Sequence, residues 1–184
     1  MSVVDETLAI FARRGADSYF GERVSISEHM LQAAYFARQE HAPESLVLAA
    51  LLHDVGHLLE DVPEDLSDWT VDAHHEEVGS HWLAEHFARD IVDPVRLHVA
   101  AKRYLCATEP AYLAKLSGAS VHTLKLQGGP MSADEVAAFE AERFCKEAVR
   151  VRRWDDQGKV AGLATPSLDH YRSLIEAQSR RSLR

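Results

Sequence analysis

The sequence predicts an all-α protein, a helical bundle that forms a single domain over residues 1–184. Apolar residues recur at helical spacing in most segments of the chain, and the alternating, β-branched pattern of strands is absent. No internal repeat and no low-complexity linker divides the chain, whose length is usual for one hydrophobic core. These three observations predict one helical domain without a sheet.

The most apolar predicted helix covers the segment PESLVLAALLHDVGHLL, residues 43–59. Pro43 stands in its first turn, where a missing backbone N–H costs nothing, and the apolar residues follow a helical period. We expect this helix to be largely buried. The start of another helix is predicted at Asp93 and Pro94. Asp93 is its N-cap, and Pro94 is the first helical residue of DPVRLHVAAKRYL.

A capping box formed by Ser132 and Glu135 predicts the start of a long helix that runs toward Trp154. Two connections stand out between the helices. The segment LQGGPMS, 126–132, is a turn with two glycines and a proline, and the acidic segment 60–73 either covers a site or is simply solvated. Further helices are predicted over about 3–14, 27–40, 74–88, 110–117 and 168–181.

Composition bounds the partners and the location of the protein. The formal net charge is −9, which argues against nucleic acid as a partner because phosphate binding needs a clustered Lys/Arg surface. No signal peptide and no apolar stretch long enough to cross a bilayer is visible, so we expect a cytoplasmic protein without a membrane partner. Cys106 and Cys145 are far apart and are interpreted as reduced thiols.

His53 and Asp54 lie in the middle of the most apolar predicted helix. Burying a carboxylate there costs several kcal/mol unless it is paired or bound to a metal. A divalent metal ion offsets the buried negative charge and accepts both imidazole and carboxylate ligands. The alternative is an aspartate paired with a core arginine or acting as an internal cap.

Further histidines and one aspartate are candidates for the same metal site. His57 lies one helical turn after His53 and is a third ligand, a group that supports the ligands, or a substrate contact. Each of the other candidates is either a ligand or a core residue: His29, His75, His98 and Asp155. Four imidazoles and two carboxylates suit two ions that share a bridging carboxylate and keep open positions.

The order His29, His53-Asp54 and a distant Asp155 resembles the HD-domain superfamily, in which metal-dependent phosphohydrolases predominate. The motifs HDVGH, HHEEVG, HVAAKRYL, LQGGPM and RRWDDQGK further resemble those of the HD-domain mixed-valent di-iron oxygenases of the PhnZ and TmpB type, which cleave organophosphonates. The resemblance covers nearly the whole chain, from about Tyr19 to Tyr171.

This resemblance implies a di-iron centre and a specific ligand division. One iron is expected at His29, His53, Asp54 and Asp155, and the other at His75 and His98, with Asp54 bridging the two. The implied cofactor is a mixed-valent Fe(II)/Fe(III) pair with O2 as cosubstrate. The implied reaction oxidises a 1-hydroxyalkylphosphonate and breaks its carbon–phosphorus bond, giving a carboxylic acid and phosphate.

The expected substrate is a small zwitterionic organophosphonate. Lys102 follows His98 by four residues on the same helical face, so its ammonium is placed to meet a phosphonate near the metal. The alternative for Lys102 is a lysine whose stem packs on the surface while its charge reaches solvent. The family resemblance assigns His57 and Lys102 to the catalytic site, and it places further substrate contacts at Ser120, Thr123, Gln127, Tyr19 and Glu22.

In relatives, the tyrosine matching Tyr19 can occupy the open iron position before substrate binds, and the glutamate matching Glu22 faces the substrate amine. A quaternary ammonium is usually held by aromatic faces and a nearby anion, which Tyr19, Phe20 and Glu22 can supply. The sequence therefore favours 1-hydroxy-2-(trimethylammonio)ethylphosphonate, with glycine betaine as the product. The alternatives are the unmethylated amine, a metal-dependent phosphohydrolase, an inositol oxygenase and a signalling module without catalytic activity.

Overall fold

The computed structural model describes residues 1–59 and 74–180, and within these ranges the chain is helical, with one isolated β-bridge between Ser18 and Ser25. The all-α prediction is confirmed. A 3₁₀ turn covers Leu168–Tyr171, and the described α-helices are α1 Val3–Arg14, α2 Ile26–Gln39, α3 Glu44–Leu52, α4 Val55–Leu59, α5 His75–His86, α6 Arg89–Thr108, α7 Pro110–Leu113, α8 Gly118–Leu126, α9 Ala133–Ala141, α10 Cys145–Gln157 and α11 Arg172–Gln178.

Helix α3 lies at the centre of the bundle. Every side chain from Leu46 to Leu52 is buried, so this helix is covered on all sides, as expected for a segment without a polar face. It packs against α2, α6 and α10, and α10 packs against both α2 and α6. His53 and Asp54 lie at the carboxyl end of α3, and both are buried.

The predicted continuous helix over 43–59 is wrong in one respect, because it breaks at His53 and Asp54. Helix α3 ends at Leu52 and α4 begins at Val55, with a turn between them. The His53 ring donates to the carbonyl oxygen of Ala50 at 2.8 Å, which engages a backbone group of the last helical turn. The break aims both side chains into the interior.

The predicted start of α6 at Asp93 is also wrong. The helix begins at Arg89, after Ala88, and Pro94 lies inside it. Asp93 does not cap the helix. Its carboxylate accepts a hydrogen bond from Arg89 at 3.0 Å and lies 3.8 Å from Arg96 on the following turn. Burial of Ile91 and Val92 extends the helix beyond the start that the Asp-Pro pair indicates.

The capping box of Ser132 and Glu135 is confirmed, but the helix that it opens is shorter than predicted. Helix α9 ends at Ala141, and a separate helix α10 carries the chain to Trp154 and beyond. The break contains neither glycine nor proline, but Phe139 before it and Phe144 within it pack in one cluster with Leu97 of α6. Helix α8 was not predicted.

The predicted acidic connection over 60–73 lies outside the described residues. Among the residues that are described, no helix is both long enough and apolar enough to cross a membrane.

Candidate metal centre

The six predicted ligands converge at the end of α3, and they form two groups around Asp54. One carboxylate oxygen of Asp54, Oδ2, lies 3.4 Å from the Nε2 atoms of both His29 and His53. The other oxygen, Oδ1, lies 3.3 Å from Nε2 of His75 and 3.5 Å from Nε2 of His98. Asp54 therefore presents one oxygen to each pair of histidines, which is the arrangement of a bridging ligand.

Asp155 completes the first group. Its Oδ1 lies 3.5 Å from His29 Nε2 and accepts no hydrogen bond from any described residue, although it is buried. Its other oxygen, Oδ2, accepts a hydrogen bond of 2.7 Å from Arg152. The arginine thus holds one oxygen of Asp155 and leaves the other directed at His29.

The backbone fixes the orientation of three of the four imidazoles. The Nδ1 atoms of His29, His53 and His98 donate to the carbonyl oxygens of Gly158, Ala50 and Val95 at 2.9, 2.8 and 2.7 Å. A proton on Nδ1 leaves the lone pair of Nε2 available toward the centre of the site. This is how ligating histidines are oriented in metal proteins.

The pKa values of His53, Asp54 and Asp155 indicate that the first ligand group favours bound positive charge. Burial lowers the pKa of His53, but the Asp54 carboxylate more than offsets this effect and raises the pKa to about 9. Burial also acts to raise the pKa of Asp54, yet the charge of His53 and the neighbouring histidines hold the pKa well below its usual value. The pKa of Asp155 is lowered because Arg152 and Lys159 outweigh its burial.

The donor set fits two divalent metal ions. The Nε2 atoms of His29 and His53 are 3.0 Å apart, and those of His75 and His98 are 3.3 Å apart. Two Nε2 lone pairs this close together repel each other unless a proton or a cation lies between them. Two compact groups, each with two imidazoles and a shared carboxylate, match the ligand preferences of first-row metals.

A cavity opens beside the second group, and cationic side chains line one of its walls. Lys102 is almost fully buried and donates to Thr123 Oγ1 at 2.9 Å. Burial and the charge of Arg152 lower the pKa of Lys102 to about 7. Lys159 donates to Ser120 Oγ at 3.0 Å. Predicted contacts that line this cavity are Tyr19, His57, Lys102, Ser120, Thr123 and Gln127.

A tight turn runs from Tyr19 to Glu22, and its first two residues, Tyr19 and Phe20, line the cavity. Glu22 donates its backbone N–H to the carbonyl oxygen of Tyr19 at 2.8 Å, with Phe20 at φ 43° and Gly21 at φ 79°. Positive φ is unfavourable for phenylalanine, so packing must hold it there. The Phe20 ring lies 4.6 Å from the ring of His57, and Tyr19 donates to Asp54 Oδ2 at 2.8 Å.

Two predicted substrate contacts differ from the other predicted residues in their placement. Glu22 is absent from the described lining of the cavity, and its carboxylate lies 3.9 Å from the ammonium of Lys159. His57 belongs to neither ligand group. Its ring stacks on His75 at 3.9 Å between centroids, so it lines the cavity beside the second group.

The sequence interpretation missed Arg152 and Lys159. Arg152 is buried and bonds to Asp155, Asp156 and Tyr112, and Lys159 contacts Ser120 and lies 4.0 Å from Asp155. Both flank Asp155 within the motif RRWDDQGK, three residues before it and four after it. Helical spacing around a predicted ligand was the available signal, as it was for Lys102 after His98.

Comparison with known proteins gives one family and several relatives. Residues 26–156 match the HD domain family. The chain is 47% identical over 175 residues to 1-hydroxy-2-(trimethylamino)ethylphosphonate dioxygenase (glycine-betaine-forming) of Leisingera caerulea, covering 95% of this chain and 89% of the relative. It is 44% identical over 161 residues to hydroxymethylphosphonate dioxygenase of Gimesia maris, covering 87% and 80%. An uncharacterized protein of Acanthamoeba polyphaga mimivirus is 34% identical over 174 residues, covering 94% and 80%.

Proposed function

The chain belongs to the HD-domain family, in the branch of the organophosphonate dioxygenases, and we propose that it uses O2 to cleave 1-hydroxy-2-(trimethylammonio)ethylphosphonate. The products are glycine betaine and phosphate. In the balanced reaction the substrate loses its C1–H and C–P bonds, and one O2 accepts four electrons. One carboxylate, one hydrogen phosphate and one proton form for each O2 consumed.

The observation that carries this proposal is the shared carboxylate of Asp54 at the floor of a cation-lined cavity. His29, His53, Asp54 and Asp155 would hold one iron, and His75, His98 and Asp54 the other. A mixed-valent iron pair bound there would supply Lewis acidity for the substrate oxygens and electrons for O2. The second group has fewer protein ligands, which leaves more positions for substrate.

The cationic wall is suited to bind the phosphonate. The ammonium groups of Lys102 and Lys159 hold the hydroxyl groups of Thr123 and Ser120, which keeps all four side chains in place. A phosphonate that enters between them can accept charge-assisted hydrogen bonds from both lysines. Buried placement strengthens these contacts, since water competes weakly for the same donors.

The turn from Tyr19 to Glu22 is suited to bind the substrate nitrogen. The rings of Tyr19 and Phe20 line or border the cavity, and their centroids are 5.0 Å apart. Aromatic faces attract a quaternary ammonium, which cannot donate hydrogen bonds. The Glu22 carboxylate adds negative charge nearby, although it shares that charge with Lys159.

His57 is proposed to hold a proton at the C1 hydroxyl of the substrate. Its imidazole lies between Phe20 and His75, so it borders both the aromatic turn and the second metal group. This position leaves the ring outside the ligand set and within reach of a substrate that binds beside His75.

A substrate panel tests the proposal. Oxygen uptake by iron-loaded protein is measured with the trimethylammonio, the amino and the hydroxymethyl phosphonates, and the highest kcat/KM is expected for the trimethylammonio compound. Glu22→Gln should lower kcat/KM for the two nitrogen-containing substrates and spare hydroxymethylphosphonate, which has no cation. Higher turnover of the primary amine would favour glycine as the product, and no uptake with any of the three would refute the oxygenase.

A further inference from the structure

One of the four ligand histidines differs from the other three in what its second ring nitrogen faces. His29, His53 and His98 each donate Nδ1–H to a backbone carbonyl oxygen. His75 has no such carbonyl among the described residues, and its buried Nδ1 makes no hydrogen bond to them. A ligand histidine with an unsatisfied Nδ1 is unusual, because that N–H normally has an acceptor.

The carboxylate of Glu76 lies near this atom. Its Oε2 lies 3.6 Å from His75 Nδ1, and that oxygen is likewise buried without a hydrogen-bond partner in the described chain. Glu76 as a whole is 8% exposed. A buried carboxylate is costly unless it is paired, and a buried N–H has the same requirement. His75 Nδ1 can therefore donate the hydrogen bond that Glu76 Oε2 needs, and Glu76 Oε2 is the acceptor that His75 Nδ1 needs.

We propose that Glu76 is a positioning residue for the second metal: its carboxylate accepts the Nδ1 proton of His75 and makes that imidazole a more basic ligand. A metal bound at Nε2 would fix the proton on Nδ1, and the Nδ1–H would then face the Glu76 carboxylate as a hydrogen-bond donor. This inference rests on the metal centre proposed above. It assigns the two metal positions different electronic environments, since only His75 is oriented by an anion among the described ligand histidines.

A carboxylate behind a ligand histidine stabilises the higher oxidation state of the metal. Partial transfer of the Nδ1 proton places more electron density on Nε2, and a ferric ion gains more from that density than a ferrous ion does. Glu76 therefore directs the ferric charge of a mixed-valent pair to the position held by His75 and His98.

A variant of the neighbouring residue, Glu77, distinguishes the proposed role of Glu76 from a purely structural role in the helix. Both Glu76 and Glu77 lie in the first turn of α5, where acidic side chains favour the helix by interacting with its dipole. Glu77 is exposed, whereas Glu76 is buried. Glu77→Gln removes the same helix contribution as Glu76→Gln without changing His75.

The first measurement is ferrous iron affinity, determined under anaerobic conditions by competition with a chelator. Loss of a partner behind a ligand histidine typically weakens metal binding by roughly 10–100-fold. Glu76→Ala should show this loss for one of the two ions, Glu76→Gln a smaller loss because its amide oxygen still accepts, and Glu77→Gln none. Glu76→Gln is nearly isosteric and carries the test if the alanine variant does not fold.

The second measurement is the midpoint potential of the iron pair, followed by its electron paramagnetic resonance signal during a redox titration. The potential should rise in Glu76→Gln, because the ferric state loses its anionic support, and stay unchanged in Glu77→Gln. Unchanged affinity and potential in Glu76→Gln would overturn the proposal. Failure of the unsubstituted protein to bind two irons would instead overturn the metal centre itself.

Discussion

At the scale of single residues, Asp54 decides what the site can do. Its two oxygens face different pairs of histidines, and a backbone turn rather than a regular helix presents it. Tyr19 lines the cavity and donates to Oδ2, so the carboxylate connects the cavity with the proposed metal ligands. No neutral residue of the same size can neutralise and join two ions in this way.

Asp54→Asn should therefore abolish binding of both ions. The amide preserves the volume but removes the negative charge that compensates two cations, and one of its two donor atoms can no longer act as a ligand. Iron content after reconstitution, measured by elemental analysis, should fall to background. Asp93→Asn is the matched control, since Asp93 is also buried but pairs with Arg89 on α6, and it should bind iron normally.

Lys102→Ala should leave the iron pair intact and weaken substrate binding. Lys102 bonds to Thr123 and not to any predicted ligand, and a hydrogen bond to a charged group contributes about 1.5–3 kcal/mol. Because about 1.4 kcal/mol corresponds to a factor of ten, KM should rise by roughly 10–100-fold. The exposed Lys125 on α8 provides the control, because Lys125→Ala should not change KM. Equal iron loss in Lys102→Ala and Asp54→Asn would contradict this division of roles.

At the scale of elements, the contact between α4 and α5 brings the two halves of the site together. A Cβ on Gly56 would lie 2.0 Å from the carbonyl oxygen of His75, and Gly79 faces Gly56 across the same contact. The two glycines let the backbones approach closely. That approach places His75, at the start of α5, beside Asp54.

Gly56→Ala should push α5 away and disturb the second metal group. The clash is with backbone atoms, which cannot rotate aside, and overpacking of this kind costs about 1–3 kcal/mol. Urea unfolding should show that loss, together with weaker binding of one iron. Gly118→Ala, at a helical glycine with open space around its Cβ, should change neither quantity. Normal stability in Gly56→Ala would show that the contact is looser than described.

Part of this arrangement was predictable from the sequence. The capping box at Ser132 and the buried apolar helix that begins after Pro43 follow from local sequence, and both are confirmed. The break at His53 and Asp54 contains no glycine or proline, so no local signal marks it. It is stabilised by contacts with other helices. The helix start predicted from Pro94 was wrong, because burial of Ile91 and Val92 outweighs a strong local start signal.

At the scale of the whole molecule, the proposed ligands come from α2, the turn after α3, α5, α6 and α10. Bound metal would therefore join five parts of the chain that are distant in sequence. The convergence of these residues was predictable, because buried charge is costly and the family motifs are specific. The proximity of Lys159 to Glu22 was not predictable, since it depends on how the segment after α10 folds back onto the turn at Glu22.

Iron should accordingly stabilise the entire fold. A ligand that binds the native state alone at 100 times its Kd stabilises it by about 2.7 kcal/mol. Calorimetry under anaerobic conditions should show a higher Tm after ferrous iron is added, and a chelator should reverse the shift. Asp54→Asn should show no shift. An equal shift in that variant would mean that iron binds elsewhere.

The most direct test of the central claim is the ratio of phosphate released to O2 consumed during turnover of the trimethylammonio hydroxyphosphonate. An oxygenase should give one phosphate per O2, one glycine betaine per phosphate, and no phosphate under strict anaerobiosis. Undiminished phosphate release without oxygen would contradict the proposed oxygenase and would identify a hydrolase built on the same metal centre.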